Sequence, residues 1–395
     1  MVLIEPAQRV QGKVDNYLSL QQEKIKSLLK QGHDIIRVGR GSPDLETFPA
    51  IVTALKDAID DPKNHGYPPY GGKSTLKDAI TDFYSREYGV KLDQDEVTIF
   101  SGSNAVLTAI PMVLLNPGDI ALVPDPAFFG YENGVRMAGG QAYYLPITED
   151  NHFLPDYEKI PDDIKRRAKL LFLNYPNNPT DATATFEFYE ATVRFAQENN
   201  IVVVQDFAYA DISFTQKAVS FLEVPGAKEV GIEIYTFSKT FNMAGWRVAF
   251  ASGNRLLIDL IRGYIRASVG GTFGAVQDAA QYGLEHSVKE RQQLQLIYLN
   301  RFRVFRDTIE SKNLSVNQSG GTFFVWLKLP EGVDDVHFAD QLLEKKDVAA
   351  VPGSTFGKNG RGYLRVSLLV EKEVLIEVAK RIKELLSEEF NYEEI

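Results

Sequence analysis

The sequence predicts an α/β protein in which a large domain, with a mostly parallel central sheet covered by helices, is followed by a smaller α+β domain. Three observations carry this. At 395 residues the chain is longer than one hydrophobic core usually organises, so two domains are expected. Between about Leu76 and Gly283, short apolar runs at 97–100, 120–123, 170–173 and 201–204 alternate with longer, more polar helical stretches. Strands buried on both faces of a parallel sheet read this way. Past Gly283 the pattern changes to a long charged helix over 290–310, strand-like segments at 322–327 and 362–368, and a closing helix.

In chain order, Leu18, Ile25, Leu28 and Leu29 recur at helical spacing after Asp15, and Gly32 follows as a stop. The alternating strands and helices come next. The closing helix carries Leu375, Val378, Ile382 and Leu385 on one face. The expected division is a large domain over 46–285 and a small one assembled from 1–45 and 286–395. No internal repeat or low-complexity linker interrupts the chain.

Composition excludes several classes of chemistry. Hydrophobic residues at 44% and charged residues at 24% are the proportions of a globular chain that can bury a sizeable core. Forty-three basic against fifty-three acidic residues leave a net charge of −10, which disfavours nucleic acid and anionic membrane surfaces as partners. With no cysteine there is no disulfide, thiolate metal site or cysteine nucleophile. The amino terminus lacks the pattern of a signal peptide, and the apolar stretch 105–115 is too short to span a bilayer, so a cytoplasmic protein is expected. The five histidines (His33, His65, His152, His286 and His337) form no ligand pair, and no metal is expected.

Some motifs fail on inspection. Gly39 and Gly41 open a dinucleotide-like fingerprint that lacks its third glycine and has Pro43 where a helix should begin. Gly72, Lys73 and Ser74 resemble the end of a phosphate-binding P-loop, but Tyr67 stands where its first glycine belongs. No G-x-S-x-G elbow presents a serine.

One constellation carries chemistry. Lys239 lies between the apolar runs 232–235 and 248–251, where burial would lower its pKa towards the neutral amine that forms Schiff bases. Thr236, Ser238 and Arg247 surround it with donors suited to a phosphate dianion. Gly102, Ser103 and Asn104 follow the strand at 97–100 and open an apolar helix, the geometry in which backbone N–H groups hold a phosphate. The same residues also read as an ordinary capped helix start.

On Thr236, Ser238, Lys239 and Arg247, the last lying eight residues after the lysine, the sequence resembles the class I/II aminotransferases, fold-type I enzymes dependent on pyridoxal 5′-phosphate. The segments 221–234 and 242–248 look like two branches, the LL-diaminopimelate aminotransferases and the methionine-salvage aminotransferases that use glutamine. The resemblance extends from about Arg40 to Leu369. It implies that Lys239 holds the cofactor as a Schiff base and is catalytic, and that Asp206, at the end of a buried strand, pairs with the pyridinium nitrogen. It implies that Tyr209 and Asn178 share the cofactor's phenolic oxygen; a packed aromatic and an Asx-turn are the structural alternatives, and their joint placement favours function. Phe128 falls where relatives stack an aromatic on the cofactor ring, with core packing as the competing account. Tyr67 matches a tyrosine that reaches the phosphate in the neighbouring subunit, so a homodimer with shared active sites is implied. Arg365, within a predicted strand, matches the residue that binds the substrate α-carboxylate, against a buried salt bridge as the alternative, and Gly41 matches a glycine whose backbone approaches the same group.

The activity so implied is transfer of an amino group from an L-amino acid to a 2-oxo acid. A carbon–sulfur β-lyase on the same scaffold is the alternative enzyme, and a non-catalytic descendant of the fold the alternative from another class. Three departures stand out: Asp181 replaces a glycine, 127–129 replaces a Gly-Tyr-Pro-like turn, and 270–272 replaces a polar set of the diaminopimelate enzymes. The third shifts the expectation towards the methionine-salvage branch or a broader specificity.

Overall fold

The computed structural model describes residues 3–10, 17–214, 216–317 and 320–390. Its centre is a seven-stranded sheet of β1 (Val97–Phe100), β2 (Ile120–Asp125), β3 (Gln141–Pro146), β4 (Ala168–Asn174), β5 (Val202–Asp206), β6 (Gly231–Thr236) and β7 (Ala249–Gly253), ordered β1-β7-β6-β5-β4-β2-β3. The neighbours from β6 to β3 are all parallel; β7 is antiparallel to both β6 and β1. Alternate side chains along each strand enter two cores, as the pleat requires. Phe172, Val204, Ile232 and Ile234 face Ile258 and Ile261 of the helix Arg255–Ser268, whereas Leu171, Val203 and Tyr235 face Ile80 and Phe83 of the helix Ser74–Tyr88. Burial on both faces is why these strands read as continuous apolar runs. The edge strand β3 is mostly exposed or half-buried and has no such run.

A second, four-stranded antiparallel sheet orders Val351–Pro352, Tyr363–Ser367, Phe324–Lys328 and Ser315–Val316. The helices Val288–Ile309, Asp335–Lys346 and Lys372–Phe390 accompany it, and Leu375, Val378, Ile382 and Leu385 of the last are buried. The first long helix runs over Tyr17–Lys30; Asp15 lies outside the described residues. Behind it Ile36–Arg37 pairs in parallel with Val348–Ala349, tying the amino-terminal segment to the carboxy-terminal one. Among the described residues no helix is long and apolar enough to cross a membrane, and no cluster of three metal-ligating side chains occurs.

The two sheets meet at the carboxyl ends of the parallel strands. Asn174, Asp206 and Thr236 are the last residues of three adjacent strands, β4, β5 and β6. Open α/β sheets bind ligands beyond this edge.

Candidate active site

A cavity of about 390 Å³ opens over these three strand ends. Asp206 forms its floor. The Oδ2 oxygen accepts a hydrogen bond from the Tyr131 hydroxyl at 2.9 Å, while Oδ1 is buried with no partner. Burial pushes the Asp206 carboxyl up to about 6, opposed by the Tyr131 bond, the Ala208 backbone N–H and the Lys239 charge. An orphaned, buried carboxylate oxygen is costly unless a ligand completes it.

Lys239 sits above the floor on the one-turn helix Phe237–Thr240, whose start is fixed by Thr236 Oγ1 accepting from the Ser238 N–H at 3.2 Å. Its Nζ donates to the Gly41 carbonyl oxygen and lies 5.8 Å from the Tyr209 ring centroid and 5.5 Å from that of Phe323. Burial lowers the amine to about 8, helped by the cations Arg365 and Arg247 and opposed by Asp206. An ammonium held near this value supplies free amine at neutral pH. Tyr209 stands edge-on to Phe323 and Phe324, and burial raises its phenol well above the usual range.

The phosphate-type donors gather at the other end. Ser103 and Asn104 are the first residues of the helix Ser103–Leu114, and both line the cavity with Thr236, Ser238 and Arg247. Gly102 has φ 84°, and a Cβ there would stand 2.3 Å from Arg247 Nη2, so only glycine lets the guanidinium lie over the helix start. Thr236 Oγ1 and Ser238 Oγ are 2.9 Å apart.

Arg365 comes from the small sheet. Its Nη1 donates to Asn178 Oδ1 at 2.8 Å and its Nη2 to the Gly39 carbonyl at 3.0 Å, while its guanidinium carbon lies 4.0 Å from the Phe324 ring centroid and 4.5 Å from that of Phe356. Among the described residues it forms no ion pair, so the buried salt bridge considered from sequence is absent. Burial lowers it to about 10. Asn178 is fixed by its N–H donating to Asn174 Oδ1 at 2.8 Å. The turn-forming role belongs to its neighbour Asn177, whose Oδ1 accepts from the Thr180 N–H and hydroxyl at 3.0 and 2.8 Å.

The cavity thus brings together Lys239, Ser103, Asn104, Phe128, Asn178, Asp206, Tyr209, Thr236, Ser238, Arg247, Gly41 and Arg365. Gly102 supports it from behind Arg247. Tyr67 is fully exposed and borders a separate surface pocket with Pro68, Pro69 and Lys73. Asp181 adopts φ 57°, where glycine would be at ease, and its Oδ1 accepts from Asn317 Nδ2 at 2.6 Å. Gly271 packs beside Pro68, where a Cβ would stand 2.7 Å from the proline ring, and none of 270–272 lines the cavity. Sequence reasoning missed Tyr131, Asn174, Phe324 and Phe356. Tyr131 lies three residues after Phe128, in the first turn of the helix Gly130–Met137.

This fold, with a lysine poised over a strand-end carboxylate, a phosphate-type cradle and an unpaired arginine, defines an amino-acid-processing enzyme of the α/β class. The chain belongs to the class I and II aminotransferases, whose family model matches residues 33–382. It is 46% identical over 365 residues to the L-glutamine–4-(methylsulfanyl)-2-oxobutanoate aminotransferase of Bacillus subtilis, covering 92% of each chain. It is 44% identical over 370 residues to transaminase BacF of the same organism, covering 93% of each. With the LL-diaminopimelate aminotransferase of Aquifex aeolicus it shares 42% over 368 residues, 92% of this chain and 94% of that one. Among solved structures, substrate-bound BacF superposes with a TM-score of 0.92 at 42% identity, covering 97% of this chain and 98% of the other. The protein is a transaminase that moves an amino group from an amino acid to a 2-oxo acid.

Proposed function

We propose that this transamination uses pyridoxal 5′-phosphate, held by Lys239, Asp206 and the donors around Arg247, with the substrate α-carboxylate on Arg365. The observation that carries the reading is the buried, unpartnered Asp206 Oδ1, in a cavity that also holds an amine lowered to about 8. A protonated pyridine nitrogen is the partner such an oxygen needs. Ser103, Asn104, Thr236, Ser238 and Arg247 match a phosphate dianion in charge and donor type. Bound there, the cofactor supplies an electron sink for the α-carbon of the substrate.

The chain's own residues do the rest. Asp206 would offer its negative charge to the ring nitrogen, with Tyr131 fixing the carboxylate. Tyr209 and Asn178 offer a hydroxyl and an amide to the phenolic oxygen, and Phe128 closes one face. Arg365 orients the amino acid through its α-carboxylate, and the Gly41 segment borders the same space. Lys239 Nζ, as the neutral amine, would take the α-proton and return it, from the same side, to the carbon at the other end of the transfer. The residues 46–285 serve as the cofactor-binding domain, and 1–45 with 286–395 as the domain that brings Arg365. A homodimer accounts for Tyr67, an aromatic side chain left fully exposed on a Pro68–Pro69 loop. Every cation lining the cavity is already assigned, Lys239 and Arg247 to the cofactor and Arg365 to the α-carboxylate. Among the described residues of this chain no further cation lines the cavity for a distal carboxylate, which favours a methionine-salvage-like or broad specificity over diaminopimelate.

The test is titration of the protein with pyridoxal phosphate, followed by half-reactions with single amino acids. Wild-type protein is expected to develop a visible absorbance that amino acids discharge, and Lys239→Ala to lose turnover by about 10²- to 10⁴-fold. Sustained turnover by Lys239→Ala would overturn the assignment.

A further inference from the structure

The wall beside Arg365 has a second side. Phe356, stacked on the Arg365 guanidinium, and the adjacent Phe128 and Phe129, with ring centroids 4.5 Å apart, line the active-site cavity. The same three rings line a second cavity of about 520 Å³. They are a partition between two compartments. Its seating is tight: the Ala127 N–H donates to the Phe356 carbonyl at 2.9 Å, and Asn359 donates to both Asp125 oxygens, from Nδ2 at 2.7 Å and from the backbone at 3.3 Å. At Gly357 a Cβ would stand 1.8 Å from Asp125 Oδ1, so the loop bearing Phe356 rests directly on the strand end.

We propose that the second cavity receives the far end of the substrate side chain and that Phe129 gates it, so that the enzyme takes amino acids with long, uncharged side chains of aromatic or thioether type. The inference rests on the reading of Arg365 as the α-carboxylate site, which lays the side chain along Phe356 and the partition. Of the three rings, Phe129 is the one free to turn. It is 44% exposed, whereas Phe128 packs on Tyr131 and hugs Gly130, where a Cβ would stand 2.4 Å from its ring, and Phe356 is buried. The back wall of the second cavity is apolar, formed by Val123, Pro124 and Ala127. Three charged residues line it, Asp125, Glu132 and Lys358; both Asp125 oxygens are occupied by Asn359 and the other two residues are of opposite sign, so the compartment favours neither a cationic nor an anionic tip.

Two variants test this in opposite directions, each assayed by half-reaction kcat/KM for alanine and for phenylalanine and methionine. Thr355 lines only the second cavity, and Thr355→Phe narrows it; the long substrates are expected to lose about 10- to 200-fold while alanine changes less than about twofold. Phe129→Ala removes the gate, and the long-to-short ratio is expected to rise several-fold. Should Thr355→Phe fail to fold, Phe129→Ala decides alone. An unchanged long-to-short ratio in the folded variants, with alanine still reacting, would overturn the compartment assignment. Loss of all reaction in the wild-type protein would instead overturn the cofactor and carboxylate reading beneath it.

Discussion

Three arginines are buried among the described residues, and they differ in what neutralises them. Arg291, on the helix Val288–Ile309, reaches Asp211 at 2.7 Å and Glu87 at 2.9 Å. Arg301, three turns further along the same helix, meets Asp44 at 2.9 Å, Glu371 at 3.1 Å and the Leu368 carbonyl at 3.1 Å. Arg365 has an amide oxygen, a peptide carbonyl and two aromatic faces, and no carboxylate. The acids raise Arg291 above its ordinary value, while burial alone lowers Arg365. A buried guanidinium with its counter-ions is part of the packing; one without them keeps its charge available to a ligand.

That contrast can be broken by substitution. Arg291→Met takes the guanidinium from Asp211 and from Glu87, which keeps Lys217 and Arg86, and is expected to cost about 3–5 kcal/mol of stability in denaturant unfolding. Arg365→Met strands no acid but leaves Asn178 Oδ1 and the Gly39 carbonyl without a donor, so it is expected to cost less, about 1–3 kcal/mol. Its half-reaction kcat/KM should fall by about 30- to 4,000-fold, the equivalent of about 2–5 kcal/mol. Equal loss of stability in the two variants would erase the distinction.

The cavity's remaining titratable pair sharpens it. Because Lys239 is lowered to about 8, its reactive free-amine fraction grows about 50-fold between pH 6 and pH 8 and levels off above. The rate at which the cofactor-free protein takes up pyridoxal phosphate should follow that curve, where an ordinary lysine would keep rising past pH 10. The smallest effect is expected for Tyr131→Phe. Removing the hydroxyl takes away the side-chain donor on Asp206 Oδ2 and moves the carboxyl above its present value of about 6. Cofactor affinity, read by fluorescence, should weaken about tenfold near pH 6, about 1–3 kcal/mol. It should recover as pH rises and Asp206 ionises; a pH-independent loss would point to packing alone.

Much of this site is legible in the amino-acid order because its residues sit where local pattern and chemistry coincide. Asp206 closes an apolar run, Lys239 and Arg247 follow another, and Arg365 interrupts a third. The central strands are legible for the same reason, both faces being buried, whereas the half-exposed edge strand β3 leaves no such trace. The reversed direction of β7 depends on pairing between distant segments, and no local pattern encodes it. Nor does one place Phe356 on Arg365, or give Asn177 the turn and Asn178 the site, since these contacts arise when loops from the two sheets converge. Tyr67 matched a motif and yet lies outside this chain's own cavity.

The distinction between paired and unpaired arginines is tested most directly by comparing an amino acid with its carboxamide in single-turnover half-reactions of wild-type protein and Arg365→Met. Wild type is expected to prefer the acid by about 30- to 4,000-fold, and the variant to lose that preference to within a few-fold. If Arg365→Met retained the full preference for the acid, the carboxylate would bind elsewhere and Arg365 would belong with Arg291 and Arg301.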